Sequence, residues 1–212
     1  MHITFHEQDF ILDGRRALFW KQKEWLLIAD VHWGKTHYFQ KHGLSVGHGV
    51  LKADLERLAS LIEFYHPKMV MCLGDLIHHE HSLGPELIEE VTDFRNRYPL
   101  PLTLIRGNHE RYISKLPEQL GIEIIDDKFE CDGLTLCHEE EKGCGPQLFG
   151  HLHPKISLKG QGDNLSLPCF YQTGQNLILP AFSDFCGGKS ITLNKSECAY
   201  ICCDDYEVIQ IP

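Results

Sequence analysis

Histidines and aspartates that directly follow short apolar runs are the residues of this chain best suited to chemistry. In GHLHP, residues 150–154, His151 and His153 stand one residue apart between a glycine and a proline. Such a pair is either a set of metal ligands or two polar side chains at the end of a strand, and the segment alone leaves both interpretations open. Four other segments have a similar form, and they are ADVHWGK (29–35), LGD (73–75), GNHE (107–110) and LTLCH (134–138).

Together, these residues would suit divalent transition metals. Imidazole nitrogens with a few carboxylate oxygens favour Mn²⁺, Fe or Zn²⁺, whereas Mg²⁺ and Ca²⁺ prefer shells made of oxygen alone. Each segment has an ordinary explanation when it is taken alone, since a DxH triplet is common and GD is a usual strand-to-loop turn. Their recurrence after successive apolar runs makes chance a poor explanation.

Short strands and two helices must position these residues. An amphipathic helix is predicted over 51–65, stopped by Pro67, and another over 82–97, with Ser82 as its cap and Pro85 near its first turn. Alternation of strands and helices predicts a largely parallel sheet in the first half of the chain. Five apolar runs predict strands that stop at polar residues, and they are WLLIAD (25–30), MVMCLGD (69–75), LTLIRGN (102–108), LTLCH (134–138) and QLFGH (147–151).

The second half of the chain predicts strands joined by short turns, with antiparallel pairing. Asp132 and Gly133 form one such turn, within 129–138. The simplest architecture that joins the two halves is an α/β fold, a four-layer α-β-β-α sandwich of two mixed sheets flanked by helices, with residues 1–212 as a single domain. In such layouts ligands gather where strands reach their carboxyl edge. Further strands are predicted near 155–159, 165–171, 175–182, 190–193 and 197–211.

The composition narrows the class of protein. With 212 residues, 42% hydrophobic and 24% charged, the chain is typical of one globular domain. Its apolar runs are shorter than a membrane span, and the start MHITFHEQDF lacks the features of a signal peptide, so we expect a cytoplasmic protein without a membrane partner. Nine cysteines without a CxxC pair are expected to be reduced, mostly buried thiols.

The charge bears on the substrate. A formal net charge of −10 argues against a broad basic face that would bind nucleic acid non-specifically. An anionic substrate must then be attracted locally, and bound cations are the obvious means. The fourteen histidines point in the same direction.

The order of the motifs resembles a known family. The series DVH, GDLIH, GNHE, His138 and GHLH, which spans residues 30–153, is similar to the signature of the calcineurin-like metallophosphoesterases. The segments 17–20, 30–35 and 167–188 resemble, more narrowly, the ligase-associated DNA-damage-response metallophosphoesterases of bacteria. The resemblance implies two divalent metal ions, with Mn²⁺ expected first and Fe or Zn²⁺ as alternatives.

The resemblance also implies a division of the ligands. Asp75 would bridge two metals about 3.5–4 Å apart, which could hold a hydroxide between them for attack on the phosphorus. His109 resembles the catalytic histidine that assists the leaving oxygen. By motif position the first metal would be held by Asp30, His32 and His153, and the second by Asn108, His138 and His151.

Several neighbouring residues have a functional and an ordinary interpretation. His78 would steady His109 or contact substrate, or it is a solvated loop histidine. Arg106 and Lys35 are candidates for binding a substrate phosphate, although a strand-end arginine is often simply solvated and residues 33–39 could be a helical turn that packs on the core. His42 and His48 are expected at the surface rather than as ligands.

The expected function is a binuclear metal-dependent phosphoesterase, a phosphodiesterase or nuclease that hydrolyses nucleic acid in DNA repair. Short, single-stranded or damaged ends fit the net negative charge better than long duplexes do. A homodimer and DNA-repair partners, including a ligase or a helicase, are expectations of the same kind. Two alternatives stay open, namely a phosphatase or phosphodiesterase acting on a small nucleotide or phosphorylated metabolite, and a non-catalytic scaffold on the same fold.

Overall fold

The structure is a computed structural model that describes residues 1–41, 43, 49–113, 115–159, 164–203 and 206–211. Among these residues, seven strands form the first sheet. Their order in the sheet follows the chain, with antiparallel pairing from β1 to β4 and parallel pairing from β4 to β7. The predicted parallel strands are confirmed. The strands are β1 (His2–Phe5), β2 (Gln8–Asp13), β3 (Ala17–Trp20), β4 (Trp25–Ile28), β5 (Met69–Leu73), β6 (Leu102–Ile105) and β7 (Ile122–Ile125).

The described α-helices are α1 (Lys35–Lys41), α2 (Val50–Tyr65) and α3 (Pro85–Arg97). The prediction for α2 is confirmed within one residue. The prediction that the next helix begins at Ser82 is wrong, because Gly84 precedes it in an extended conformation (φ −76°, ψ 162°). A residue before proline avoids the helical region, whereas proline itself fits the first helical position, so α3 begins at Pro85.

Nine strands form the second sheet, in the order β14-β11-β12-β13-β10-β9-β8, with β15 on β12 and β16 on β15. The prediction of antiparallel pairing is wrong for β10, which is buried and runs parallel to both β9 and β13, and for β14, which runs parallel to β11. The turn at Asp132 and Gly133 is confirmed. The strands are β8 (Phe129–Cys131), β9 (Leu134–Leu136), β10 (Gln147–Phe149), β11 (Pro154–Lys159), β12 (Asn164–Gln172), β13 (Asn176–Ile178), β14 (Lys189–Ser190), β15 (Cys198–Cys202) and β16 (Val208–Ile211).

The main core lies between the two sheets, and a second core lies between the first sheet and its helices. Alternate residues of β4 and β5 serve the two cores, because side chains alternate between the faces of a strand. Leu27 and Met71 face the second sheet, where Phe170 of β12 is fully buried. Leu26 and Val70 face α2 and α3. The predicted α/β sandwich of two mixed sheets is confirmed.

The described α-helices all belong to the first half of the chain. Among the described residues, no α-helix follows β7, and the outer face of the second sheet carries two small apolar clusters around Cys169 and Phe149. No helix in the described ranges is both long and apolar enough to cross a membrane. The nine cysteines form no disulfide, and five of them are buried.

Candidate metal centre

The carboxyl ends of β4, β5 and β6 meet at one edge of the first sheet. Asp30, Asp75 and Asn108 follow these strands within three residues, because polar residues end each apolar run. The segments after β4 and β5 stay in contact, since the Asp30 amide donates to the Gly74 carbonyl and the His32 amide to the Asp75 carbonyl. Parallel pairing thus brings side chains far apart in the sequence to one place.

The first group of side chains is buried under this edge. Ligand atoms of Asp30, His32 and Asp75 lie within 4.8 Å of one another. All three residues are at most 5% exposed. His153 joins them from the second sheet, with its Nε2 3.1 Å from Asp30 Oδ1.

The second group shares Asp75 with the first. His138 Nε2 lies 3.4 Å from Asp75 Oδ2 and 2.9 Å from Asn108 Oδ1. His151 Nδ1 lies 3.2 Å from His138 Nε2, and ligand atoms of Asp75, His138 and His151 form one group within 4.8 Å. The structure thus brings together all seven residues named from the motifs, with Asp75 between the two groups.

His151 and His153 diverge instead of pointing the same way. Both backbones are left-handed, with φ values of 60° and 47°, so the alternation of an extended strand does not apply. His151 lies beside His138, and His153 beside Asp30. Gly150 permits this approach, because a Cβ on it would lie 2.4 Å from Asp30 Oδ2. The His151 amide donates to the same oxygen at 2.8 Å.

The left-handed conformation recurs among the candidate ligands. It costs a residue other than glycine on the order of 1 kcal/mol, and such residues cluster at functional sites. Five of the seven candidates adopt it, and they are Asp30 (φ 56°), His32 (52°), Asp75 (51°), His151 (60°) and His153 (47°).

Unsatisfied polar atoms in the first group fit a bound metal ion. Both ring nitrogens of His32 are buried and make no hydrogen bond within the described part of the chain, and neither does Asp30 Oδ1, although His153 Nε2 lies 3.1 Å from it. Leaving such atoms without a partner costs about 1–3 kcal/mol each, which a bound cation would offset. The nitrogen and oxygen donors suit Mn²⁺, Fe or Zn²⁺.

Local electrostatics also favour cations. Burial lowers the pKa of His32 to about 2, so its ring is neutral and can offer a lone pair. Burial alone would raise the pKa of Asp75, but the hydrogen bond and charge of His138, together with the His109 amide and His32, outweigh burial and lower that pKa to about 2. Burial would lower the pKa of His138, but Asp75 raises it to about 9, so a metal that binds this ring must displace a proton. The shared carboxylate therefore remains ionised.

His109 and His78 lie at the open side of the groups. The His109 amide donates to Asp75 Oδ1 at 3.0 Å, and His109 Nδ1 donates to the His78 carbonyl oxygen at 2.5 Å. This hydrogen bond leaves His109 Nε2 on the side of the metal centre, 3.8 Å from Asp75 Oδ2. The His78 ring centroid lies 4.9 Å from that of His109, and burial lowers the pKa of His78 to about 4.

The structure gives the two candidate phosphate-binding residues different surroundings. Lys35 begins α1, with its Nζ 3.9 Å from Cys186 Sγ and 5.8 Å from the centre of the Phe185 ring. Arg106 donates to Asp126 and to the backbone carbonyls of Glu110 and Ile113, so it braces the segment after β6. Phosphate binding by either residue stays a prediction. His42 and His48 lie outside the described residues.

Glu110 is a residue of the site that the sequence analysis missed. It is 1% exposed and accepts hydrogen bonds from the amides of Asp75, Ile77 and Gly107 at 2.7–3.1 Å. It therefore ties the segment after β5 to the segment after β6. The sequence feature that could have indicated this role is the position of Glu110 at the end of the GNHE motif, because a carboxylate buried there needs hydrogen-bond donors nearby.

Cys186 also lies closer to the site than its sequence context indicated. Its Sγ forms a group with ring nitrogens of His32 and His153 within 4.8 Å. Burial raises the pKa of this thiol to about 12. The expectation of buried, reduced cysteines did not predict this position.

The chain is similar in structure to a known nuclease over nearly its whole length. The crystal structure of nuclease MPE from Pseudomonas putida is similar, with a TM-score of 0.85 and 33% identity over 95% of this chain and 96% of that one. The phosphoesterase YfcE from E. coli is 15% identical over 88% of this chain and 97% of that one, with a TM-score of 0.46. No curated protein matches the chain.

Residues 25–167, more than half of the chain, match the model of the calcineurin-like phosphoesterases. Enzymes of this family use a binuclear centre of divalent metals, for which the two groups that share Asp75 supply candidate ligands. The chain therefore belongs to the calcineurin-like phosphoesterase family and is a metal-dependent phosphoester hydrolase.

Proposed function

We propose that the protein is a phosphodiesterase that hydrolyses the phosphodiester bonds of nucleic acid. The observation that carries the proposal is the pair of ligand groups that share Asp75 at one open sheet edge. A relative that is named a nuclease and is 33% identical over 95% of this chain supports nucleic acid as the substrate class. Two metals beside one another suit an in-line displacement at phosphorus.

The contacts between the candidate ligands divide them into one set for each of two metals. When bound, the metals supply stabilisation of negative charge on the phosphoryl oxygens and lower the pKa of water. Asp75 is the shared ligand. Asp30, His32 and His153 would hold the first metal, and Asn108, His138 and His151 the second.

His109 is the residue that we expect to hand a proton to the leaving oxygen. Its Nδ1 is fixed by the His78 carbonyl, so its Nε2 is free to carry the proton toward the metal centre. At 31% exposure the side chain can reach a bound substrate. A positioned acid of this kind contributes about 10²–10⁴-fold in rate. The His78 ring would steady His109 or contact the substrate.

Mn²⁺ is the metal that we expect. We also expect the protein to act in DNA repair in the cytoplasm. Its partner would be a ligase, a helicase or a second copy of this chain. The donor set of imidazole, carboxylate and amide supports Mn²⁺ together with Fe and Zn²⁺. Nine cysteines without a disulfide support a reducing compartment. The metal content of the purified protein tests the first of these expectations.

The central test is Asp75→Asn, assayed on bis-p-nitrophenyl phosphate with added Mn²⁺. We expect the rate to fall by about 100-fold or more, because the variant loses the charge that both groups share. Circular dichroism checks the fold, and mass spectrometry measures the bound metal. Asp93→Asn, at an exposed position on α3, is the matched control and should keep the rate. A folded Asp75→Asn protein with the wild-type rate would show the mechanism to be wrong.

The substrate class needs a separate assay. The wild-type protein should cleave a single-stranded oligonucleotide, and it should hydrolyse diesters faster than phosphomonoesters. Hydrolysis of monoesters without any cleavage of oligonucleotides would replace the proposal with the small-metabolite alternative.

A further inference from the structure

A cleft of about 310 Å³ lies beside the first ligand group. His153 and Cys186 line the cleft, and their ligand atoms also lie within 4.8 Å of those of His32. The cleft is therefore continuous with the candidate metal centre. A substrate that extends beyond the scissile phosphate has a path in this direction.

Four cationic side chains line the cleft, and two of them support other parts of the structure. Arg15 forms an ion pair with Asp13 at 2.7 Å, and Arg57 donates to the Phe182 carbonyl at 2.6 Å. Asp184 is the one carboxylate among the described lining residues. The four are Arg15, Arg16, Arg57 and Lys155.

The other two cations can serve a ligand. Arg16 contacts Asp184 at 2.5 Å, and Arg57 contacts the same carboxylate as well as Asp54 Oδ1 at 3.5 Å, so Arg16 shares its carboxylate partner with a second guanidinium group. Lys155 Nζ donates to the neutral Cys186 carbonyl at 3.3 Å and forms no ion pair with a described residue. An ammonium group without a carboxylate partner among the described residues, in the same cleft as a shared guanidinium group, is suited to a phosphate.

The cleft lies on the His153 side of the metal centre, whereas the side at Asn108 and His138 is acidic. A pocket that Asn108 and His138 line is bordered by five carboxylates and by two arginines. Arg106 contacts Asp126 and Arg111 contacts Glu139, so each arginine already has a carboxylate partner. The carboxylates belong to Asp126, Asp127, Glu139, Glu140 and Glu141, which we call the acidic rim.

We propose that the cleft binds the phosphate that neighbours the scissile one in a polynucleotide, so that the strand leaves the metal centre on the His153 side. Lys155 and Arg16 are the residues that would contact this phosphate. The acidic rim would repel a strand on the other side. The inference rests on the proposed nuclease function and adds to it a phosphate subsite and a direction for the strand.

Lys155→Gln and Arg16→Gln test the subsite. The measurement is the ratio of kcat/KM for a single-stranded oligonucleotide to kcat/KM for bis-p-nitrophenyl phosphate, which has no neighbouring phosphate. We expect each variant to lower this ratio about tenfold, as loss of a charge-assisted contact should. The change should lie mainly in KM for the oligonucleotide, and Lys155→Arg should restore the ratio.

Salt provides a second measurement. For single strands, each phosphate contact contributes about 0.7 to the slope of log affinity against log salt. The slope for Lys155→Gln should be smaller than the wild-type slope by about that amount. Lys68→Gln is the matched control, because Lys68 is 70% exposed and pairs with Glu24 before β5, at the opposite end of the strands. It should leave both the ratio and the slope unchanged.

The outcomes separate this inference from the function on which it rests. An unchanged ratio in both glutamine variants, together with oligonucleotide cleavage by the wild type, would overturn the subsite and leave the nuclease function standing. Hydrolysis of the small diester by the wild type without any cleavage of oligonucleotides would overturn both. Thermal unfolding of each variant shows whether its fold is retained.

Discussion

Gly150 shows how one residue can set the geometry of both ligand groups. Its amide donates to the His138 carbonyl, and the space beside its Cα is filled by Asp30 and Ala29. The next residue, His151, belongs to the second group. A side chain at Gly150 must therefore move Asp30, which belongs to the first group.

Gly150→Ala tests this dependence. A Cβ would lie 2.4 Å from Asp30 Oδ2 and 2.6 Å from the Ala29 Cβ, so we expect Asp30 to shift and metal content to fall below two ions. Hydrolysis of the small diester should fall about tenfold or more, and overpacking should cost about 1–3 kcal/mol in the free energy of unfolding. Gly145→Ala is the control, because nothing lies within 4 Å of its Cβ position. Two bound ions and a normal rate in Gly150→Ala would contradict this account.

The sequence predicted the candidate ligands better than it predicted their supports. Motif order, through its resemblance to the calcineurin-like family, identified the seven residues that the structure brings together. Glu110 was not identified, since its role depends on amides from two segments that only the folded sheet brings together. The binding of metal by the seven residues stays a prediction until metal content is measured.

Among the secondary-structure elements, local rules predicted α2 and the parallel strands, but not every boundary or partner. Apolar spacing predicted α2 within one residue. The start of α3 differed because the restriction that Pro85 imposes on Gly84 outweighed the capping preference of Ser82. The parallel neighbours of β10 could not be read locally, since strand pairing depends on contacts between distant segments.

The buried face of α2 carries an acidic residue with a pH-dependent effect. Asp54 is 2% exposed, and burial raises its pKa to about 7, against the opposing hydrogen bond of Ser183 and the charge of Arg57. In the unfolded chain, the pKa of an aspartate is about 3.9. Because the folded value is the higher one, the stability that Asp54 contributes is present below pH 4 and is lost as the pH rises to about 7.

Asp54→Asn should remove this pH dependence, because asparagine has no charge to bury. Relative to the wild type, the variant should gain about 1–4 kcal/mol of unfolding free energy between pH 4.5 and about 8. Urea unfolding at both pH values measures the difference, and subtraction of the wild-type curve removes the titration of the shared histidines. Glu56→Gln, at a 69% exposed position on the same helix, should leave the difference near zero. A flat difference for Asp54→Asn would show that the carboxylate is ionised in the folded protein.

At the scale of the whole molecule, charge is distributed unevenly around the candidate metal centre. The chain carries a formal charge of −10, yet four cations and one carboxylate line the cleft on one side, and five carboxylates and two arginines border the pocket on the other. Electrostatic interactions between exposed charges act mainly within a Debye length, which is about 10 Å at 0.1 M salt. We therefore expect the charges near the metal centre, rather than the net charge of the protein, to determine how a polynucleotide approaches.

Glu140→Gln tests the acidic rim. Its carboxylate accepts a hydrogen bond from Asn176 Nδ2 at 2.8 Å, which a glutamine oxygen can still accept, so the variant changes mainly charge. We expect kcat/KM for the oligonucleotide to rise about two- to fivefold at low salt, with the gain lost near 1 M salt. Glu86→Gln, exposed at the start of α3, is the control and should show no gain. Equal gains in the two variants would assign the effect to total charge.

The left-handed backbone at five candidate ligands has an evolutionary consequence. Glycine adopts this conformation without steric cost, so it is the residue that selection for thermal stability alone would favour at Asp30, His32, Asp75, His151 and His153. Glycine has no side chain that could bind a metal. These positions therefore trade folding free energy for chemistry, and a lineage released from selection for activity would be expected to lose them first.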